Sequence, residues 1–238
     1  MKQLAKRHRY LFPAIALVVT MLVLAGAWGY VARGAHSLQA ATSQLGTVFL
    51  AEAARFEAAG DWETALDYYE RALAGTLNGD QDRVHAHKRS GVIRWKQGNH
   101  AAALPHLRVA QESPLRSLNG YRPLVESLIA EGAFTEVENV VARWHDEASG
   151  DVAQTADTSH AQGRLALHRD DRATAIAHFE AAIQRMPTHR AHLDLARIHL
   201  EQGAPEEARD LLINFLSMAA PGAHANEARG LLKEIGPK

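Results

Sequence analysis

The sequence predicts an all-α protein in which antiparallel helix pairs stack in chain order behind one N-terminal transmembrane helix. Three observations predict it. Long stretches rich in Ala, Leu, Glu, Arg and Gln, with only 8 prolines among 238 residues, favour helix almost everywhere after residue 45. Degraded copies of one motif recur along the chain, beginning with "GDWETALDYYERAL" at residues 60–73. An uncharged apolar run from Tyr10 to Val31 follows a basic N-terminus.

Residues 1–9 carry Lys2, Lys6, Arg7 and Arg9, whereas only Arg33 and His36 stand just past the apolar run. That asymmetry predicts an N-in orientation in the inner (cytoplasmic) membrane, with the body in the periplasm of a bacterium. Roughly 20 apolar residues at about 1.5 Å each span a hydrocarbon core of about 30 Å. Tyr10, Trp28 and Tyr30 lie at the two ends of the run, where amphipathic rings prefer the interface. A cleaved signal peptide competes, with Ala25-Gly26-Ala27 as its small-x-small site, but its apolar core usually runs only about 7–15 residues. The longer run favours an uncleaved signal anchor over 10–31 and a linker over 32–45. Leu, Val and Ile on every face argue against a buried soluble helix.

Further copies stand at "GNHAAALPHLRVA", "GAFTEVENVVARW", "DDRATAIAHFEAAI" and "GAPEEARDLLINF". Aligned on the small residue after the turn, Ala65, Ala103, Val137, Ala175 and Ala208 are spaced by 38, 34, 38 and 33 residues. A period of about 34 residues is that of a helix-turn-helix array. The first helix of each pair, helix A, carries a small residue at Ala53, Gly91, Gly163 and Ala196. The turns are Gly60-Asp61, Gly98-Asn99, Gly132-Ala133, Asp170-Asp171 and Gly203-Ala204. Helix B adds the bulky Tyr69, Leu107, Val141, Phe179 and Leu212, then Ala72, Ala110 and Ala182, and Pro187 ends the fourth unit. On these residues the chain resembles the tetratricopeptide repeat (TPR) family over 46 to about 221.

The resemblance implies a right-handed superhelix of five repeats, 46–79, 84–117, 118–151, 156–188 and 189–221, closed by a capping helix over 222–238. The third unit departs most from the pattern, with Val125, Val137 and Trp144 where small residues are expected. The longer spacings place extra residues in "NGDQDR" (78–83) and "DEASGDVAQTAD" (146–157), and Ser149-Gly150-Asp151 is expected to break the stack or let two blocks pivot.

Chemistry is sparse. There are no cysteines, which excludes disulfides, thiolate metal sites and Cys nucleophiles. With 26 Lys and Arg against 27 Asp and Glu, the chain lacks the basic excess of a nucleic-acid binder. Of the 14 histidines, His85 and His87 fall on opposing helix faces, and no acidic residue completes a known ligand spacing. No phosphate loop, nucleophile elbow or paired catalytic carboxylates occur. No cofactor, no metal and no enzymatic activity are expected.

What remains is the hollow side, which helix A lines in arrays of this kind. The inward positions include Lys88, Trp95 and Lys96 in the second unit and Arg122 in the third. His160, Arg164 and His168 follow in the fourth, then Arg190 and Arg197 in the fifth. This basic stripe in a mildly acidic body suits an acidic or C-terminal segment of a protein partner. The bland reading is a solvated face with ion pairs between units. Carboxylate-clamping members of the family pair Lys or Arg with Asn; Lys88 and Arg122 occupy suitable basic positions, but the Asn is not where that motif wants it. The expectation is a membrane-anchored, chaperone-like scaffold or adaptor that aids assembly, maturation or export of another complex in the bacterial envelope. The alternative is a structural component that homo-oligomerises through its repeats or anchor.

Overall fold

The computed structural model describes Trp28 and residues 44–75, 77 and 79–236. All regular structure among them is helical. The expected membrane anchor, 10–31, lies outside the described residues apart from Trp28. Among the described residues no helix is long and apolar enough to cross a membrane.

Helix α1 runs over 44–58. It is followed by α2 (Trp62–Ala74), α3 (Asp80–Lys96), α4 (His100–Glu112), a 3₁₀ turn (Leu118–Gly120) and α5 (Tyr121–Ala130). Then come α6 (Phe134–Glu147), α7 (Val152–His168), α8 (Arg172–Arg185), α9 (Ala191–Glu201), α10 (Pro205–Met218) and α11 (Ala223–Ile235).

The five A-to-B turns share one construction. In each, a residue of positive φ ends helix A: Gly60, Gly98, Gly132, Asp170 and Gly203, at 80°, 75°, 73°, 57° and 75°. The next N–H reaches back five residues, as from Asp61 to the Phe56 carbonyl (3.0 Å) and from Ala204 to that of His199 (2.9 Å). This is a Schellman ending, which satisfies carbonyls the helix leaves unpaired and needs the left-handed conformation that glycine adopts without cost. Three of the residues at the next position, Asp61, Asn99 and Asp171, then cap helix B by accepting the N–H three residues on. One dipeptide thus stops one helix and starts its partner.

The small residues set how closely the pairs pack. A Cβ on Gly91 would lie 2.7 Å from Leu107 Cγ, and one on Gly163 would lie 2.6 Å from the Phe179 ring. Trp144 is fully buried, with its ring stacked on Tyr121 at 5.8 Å and its indole N–H donated to Gln154 at 2.9 Å. The third repeat therefore fills with aromatic volume the space that small residues leave closed elsewhere.

The extra residues of the longer intervals lengthen helix A: α3 and α7 have 17 residues each, against 10 in α5 and 11 in α9. Residues 152–157 are the first turns of α7, whose N-cap is Asp151, accepting the Gln154 N–H at 2.9 Å. Ser149-Gly150-Asp151 does not break the chain into blocks. The two compact units divide instead at Ala86 and His87, inside α3.

In the first unit Tyr69 donates its hydroxyl to Glu57 at 2.9 Å, and Phe56 stacks on Tyr68 at 5.4 Å. In the second, apolar cores follow one another among the described residues. The first joins α4, α5, α6 and the middle of α7 around Leu107, Tyr121, Leu128 and Trp144. The next joins α7, α8 and α9 around Phe179, and the last closes α9 and α10 with Ala228 of α11. Each of these cores draws on helices beyond a single pair of this unit, which is how such stacks hold together.

Candidate binding face

Within the second unit the A helices α3, α5, α7 and α9 present one polar side each, and three carboxylates organise it. Glu126 of α5 accepts the Trp95 indole N–H from α3 at 3.0 Å and the Arg122 guanidinium from its own helix at 2.9 Å. It also pairs with Arg190, the N-cap of α9. Asp157 of α7 bonds His189 at 3.1 Å, and Asp194 of α9 bonds the buried His160 of α7 at 2.6 Å. A side chain at the start of α9 thereby reaches α5, two pairs back. Such a reach joins α9 to α5 along one face of this unit.

Burial fixes the charge states. Burial alone would raise the Glu126 carboxyl, yet the charges of Arg190 and Arg122 bring it below the usual range. For Asp194 burial again raises, and the His160 hydrogen bond with the Arg164 and Arg197 charges lowers it further than burial lifts it. Burial pushes His160 down to about 4, against the pull of Asp194. The pair is a neutral imidazole donating Nε2–H to an ionised carboxylate.

The positions expected to bind a partner are thus placed unequally. Arg122, His160, Arg164 and Arg190 line a crevice with about 10 Å³ of free volume, room for one water at most. Arg197 is held by Asp194 at 3.3 Å and by Glu227 of α11. His168 stacks on Phe134, and Lys96 is exposed in the last turn of α3. At the α3–α5–α7 end the face opens into a cleft of about 310 Å³. Lys88, Arg89, Val92, Trp95, Asn119, Arg122, Pro123, Gln154 and Asp157 line it. Lys88 donates to Ser117 at 3.3 Å, the Arg122 guanidinium lies over the Trp95 ring at 5.8 Å, and Gln154 donates to Asn119 at 3.2 Å.

Sequence reasoning placed Lys88, Trp95 and Arg122 on one face, and the structure brings all three to the same cleft. It missed Arg89, Gln154 and Asp157 as cleft residues; the bland reading did allow ion pairs between units, but not which carboxylates form them. The Asp151-x-x-Gln154 cap pattern was a usable signal, because it starts α7 early enough to put Gln154 and Asp157 on a helix.

The comparisons agree with this architecture. The family model described as tetratricopeptide repeat matches residues 50–116 and 160–214, together just over half of the chain. A curated relative, the "BBSome complex member BBS4 homolog" of Drosophila melanogaster, is 23% identical over 158 residues, 62% of this chain, which spans 32% of that relative's length. Among solved structures, TTC0263, a thermophilic TPR protein of Thermus thermophilus, is 21% identical with a TM-score of 0.58, covering 79% of this chain and 99% of its own. YrrB, described as a TPR protein with an unusual peptide-binding site, is 15% identical at a TM-score of 0.50, over 76% of this chain and 90% of its own. With five matching turns, stacked pairs and this model match, the chain belongs to the tetratricopeptide repeat family.

Proposed function

We propose that the protein is a non-catalytic adaptor, anchored in the bacterial inner membrane by residues 10–31, whose periplasmic repeats hold an acidic segment of a partner protein. The observation that carries the reading is the contrast along the hollow face. Its middle is filled by its own ion pairs, whereas the α3–α5–α7 end keeps an open cleft with three cations, two amides and the edge of an indole around one carboxylate. Amides suit a peptide backbone, cations suit acidic side chains, and Trp95 with Val92 gives apolar contact. The likeness to a peptide-binding repeat protein supports the same class of ligand. A largely shielded pair such as Arg190 with Glu126 is not readily broken to admit a ligand, since parting it leaves a charge without compensation.

The test replaces Lys88 with Glu and Asn119 with Asp, two changes at the cleft that leave the carboxylate pairs alone. A photocrosslinker at Val92, which also lines the cleft, is expected in native membranes to capture one predominant protein through an acidic stretch. The double variant should lose that capture, and binding of the identified segment should weaken by tenfold or more with no fall in thermal midpoint. Wild-type capture by the double variant would sink the proposal. Binding should also weaken with added salt, because the attraction between cleft and segment is screened.

A further inference from the structure

Two histidines that the sequence keeps apart, His87 on α3 and His106 on α4, meet ring to ring. Their Nδ1 atoms are 3.2 Å apart, with ring centroids at 5.2 Å and planes inclined by 48°. We infer that His87 and His106 form a two-imidazole site for a late first-row divalent metal ion, of which Zn²⁺ is the representative probe.

The distance is the argument. Two nitrogens bound to one zinc at about 2.0–2.1 Å lie about 2.9 Å apart at a right angle and about 3.4 Å apart at the tetrahedral angle. The observed separation falls between those limits, so the rings need to tilt but the helices need not move. The helices are also fixed nearby. One turn from His87, Gly91 admits the adjoining Leu107 so closely that an added Cβ would lie 2.7 Å from its Cγ. The donor atoms are therefore held by packed backbone, not by loops. Both rings are half-buried, which leaves a solvent side for water to complete the coordination. The neighbouring cation, Lys88, is turned toward Ser117.

Without metal, one ring donates Nδ1–H to the bare Nδ1 of the other. Binding needs both Nδ1 atoms bare, so that proton passes through solvent to the same ring's Nε2, a tautomer change that leaves each imidazole neutral. Imidazole selects zinc, nickel, copper and cobalt over magnesium and calcium, which prefer oxygen. Among the described residues no group of three His, Asp or Glu gathers as a metal cage. The site is thus a surface pair of moderate affinity, suited to an exchangeable ion.

Calorimetric titration of the full-length, detergent-solubilised chain with ZnCl₂ at pH 7.5, with MgCl₂ as control, tests the inference. One saturable zinc site per chain is expected, with no magnesium binding. His87→Gln and His106→Gln should each weaken it by at least tenfold, and His100→Gln, in a ring bonded to Ser127, should not. Affinity should also fall by tenfold or more between pH 7.5 and 5.5, as protons compete for the ring nitrogens. Nitrogen-15 spectra of the wild-type histidine rings keep the test decisive if a variant misfolds: zinc should shift two Nδ1 resonances together. No saturable zinc binding, zinc binding indifferent to both Gln variants, or shifts confined to other rings would each overturn the site.

Discussion

With 16% of its side chain exposed, Glu126 holds a Trp95 indole N–H and two guanidiniums at once. Arg190 is 15% exposed, so losing the carboxylate leaves a largely shielded cation without its ion-pair partner. Glu126→Leu is accordingly expected to cost about 3 kcal/mol, measured by urea denaturation at pH 7, and a loss under 1 kcal/mol would show that water reaches Arg190 freely. The nearby histidines set a pH dependence whose sign is opposite to that of a histidine gaining a cationic role. His160 is held down to about 4 and burial also lowers His192, so between about pH 6.5 and 4 the unfolded chain binds protons that the folded chain refuses. Stability from this source is complete above about pH 6.5 and is lost as pH falls toward 4. Glu126, Asp157 and Asp194, depressed in the fold, add their own loss only below about pH 4. His160→Gln keeps a donor for Asp194 and does not titrate, so its denaturation midpoints should fall less steeply over the upper window. An unchanged slope would assign the titration to other groups.

At the scale of the helix pair, glycine means opposite things in different helices. Gly163 faces the Phe179 ring, which is fully buried, and a methyl there would meet three ring carbons at 2.6, 2.8 and 3.0 Å. Gly230, in the interior of the capping helix, has nothing within 4 Å of its missing Cβ. Gly163→Ala should therefore destabilise by about 1–3 kcal/mol through overpacking, whereas Gly230→Ala should stabilise by up to about 1 kcal/mol through helix propensity. Thermal melts of the two variants shifting in the same direction would contradict this account of α7 and α11. The helices and turns were legible because each is specified locally: a glycine or aspartate that tolerates positive φ, an Asx cap behind it, and small residues at fixed offsets. Trp144 was legible only as a departure, since nothing local says that its indole would stack on Tyr121 and that α7 would supply Gln154 to its N–H. The cation stripe was readable by counting helix positions, but its partners were not, because Glu126, Asp157 and Asp194 each meet a group 31 to 64 residues away in sequence. The His87–His106 contact was missed for the same reason, the nearer and more conspicuous neighbour being His85 on the opposite helix face.

For the molecule as a whole, charge and the proposed tether would work on different quantities. The 26 basic and 27 acidic side chains nearly cancel, so long-range steering is weak and the proposed recognition would rest on the local cations of one cleft. A cleft of about 310 Å³ with one indole and a few polar groups suits modest affinity for a short segment. On the proposed reading, anchoring would change the outcome without changing a contact, because a partner in the same membrane would be met at an effective concentration set by the expected linker over 32–45. Deleting residues 1–43 should therefore leave affinity for the free acidic segment within about twofold of the full-length value in solution. Co-isolation with the intact membrane partner should nevertheless fall by about 10²-fold or more. Restoring an unrelated single-span anchor of the same orientation should recover it, and the Lys88→Glu, Asn119→Asp variant with its native anchor should not. Retention of the partner by the untethered body would mean that the cleft binds tightly on its own and that residues 1–43 serve some other end.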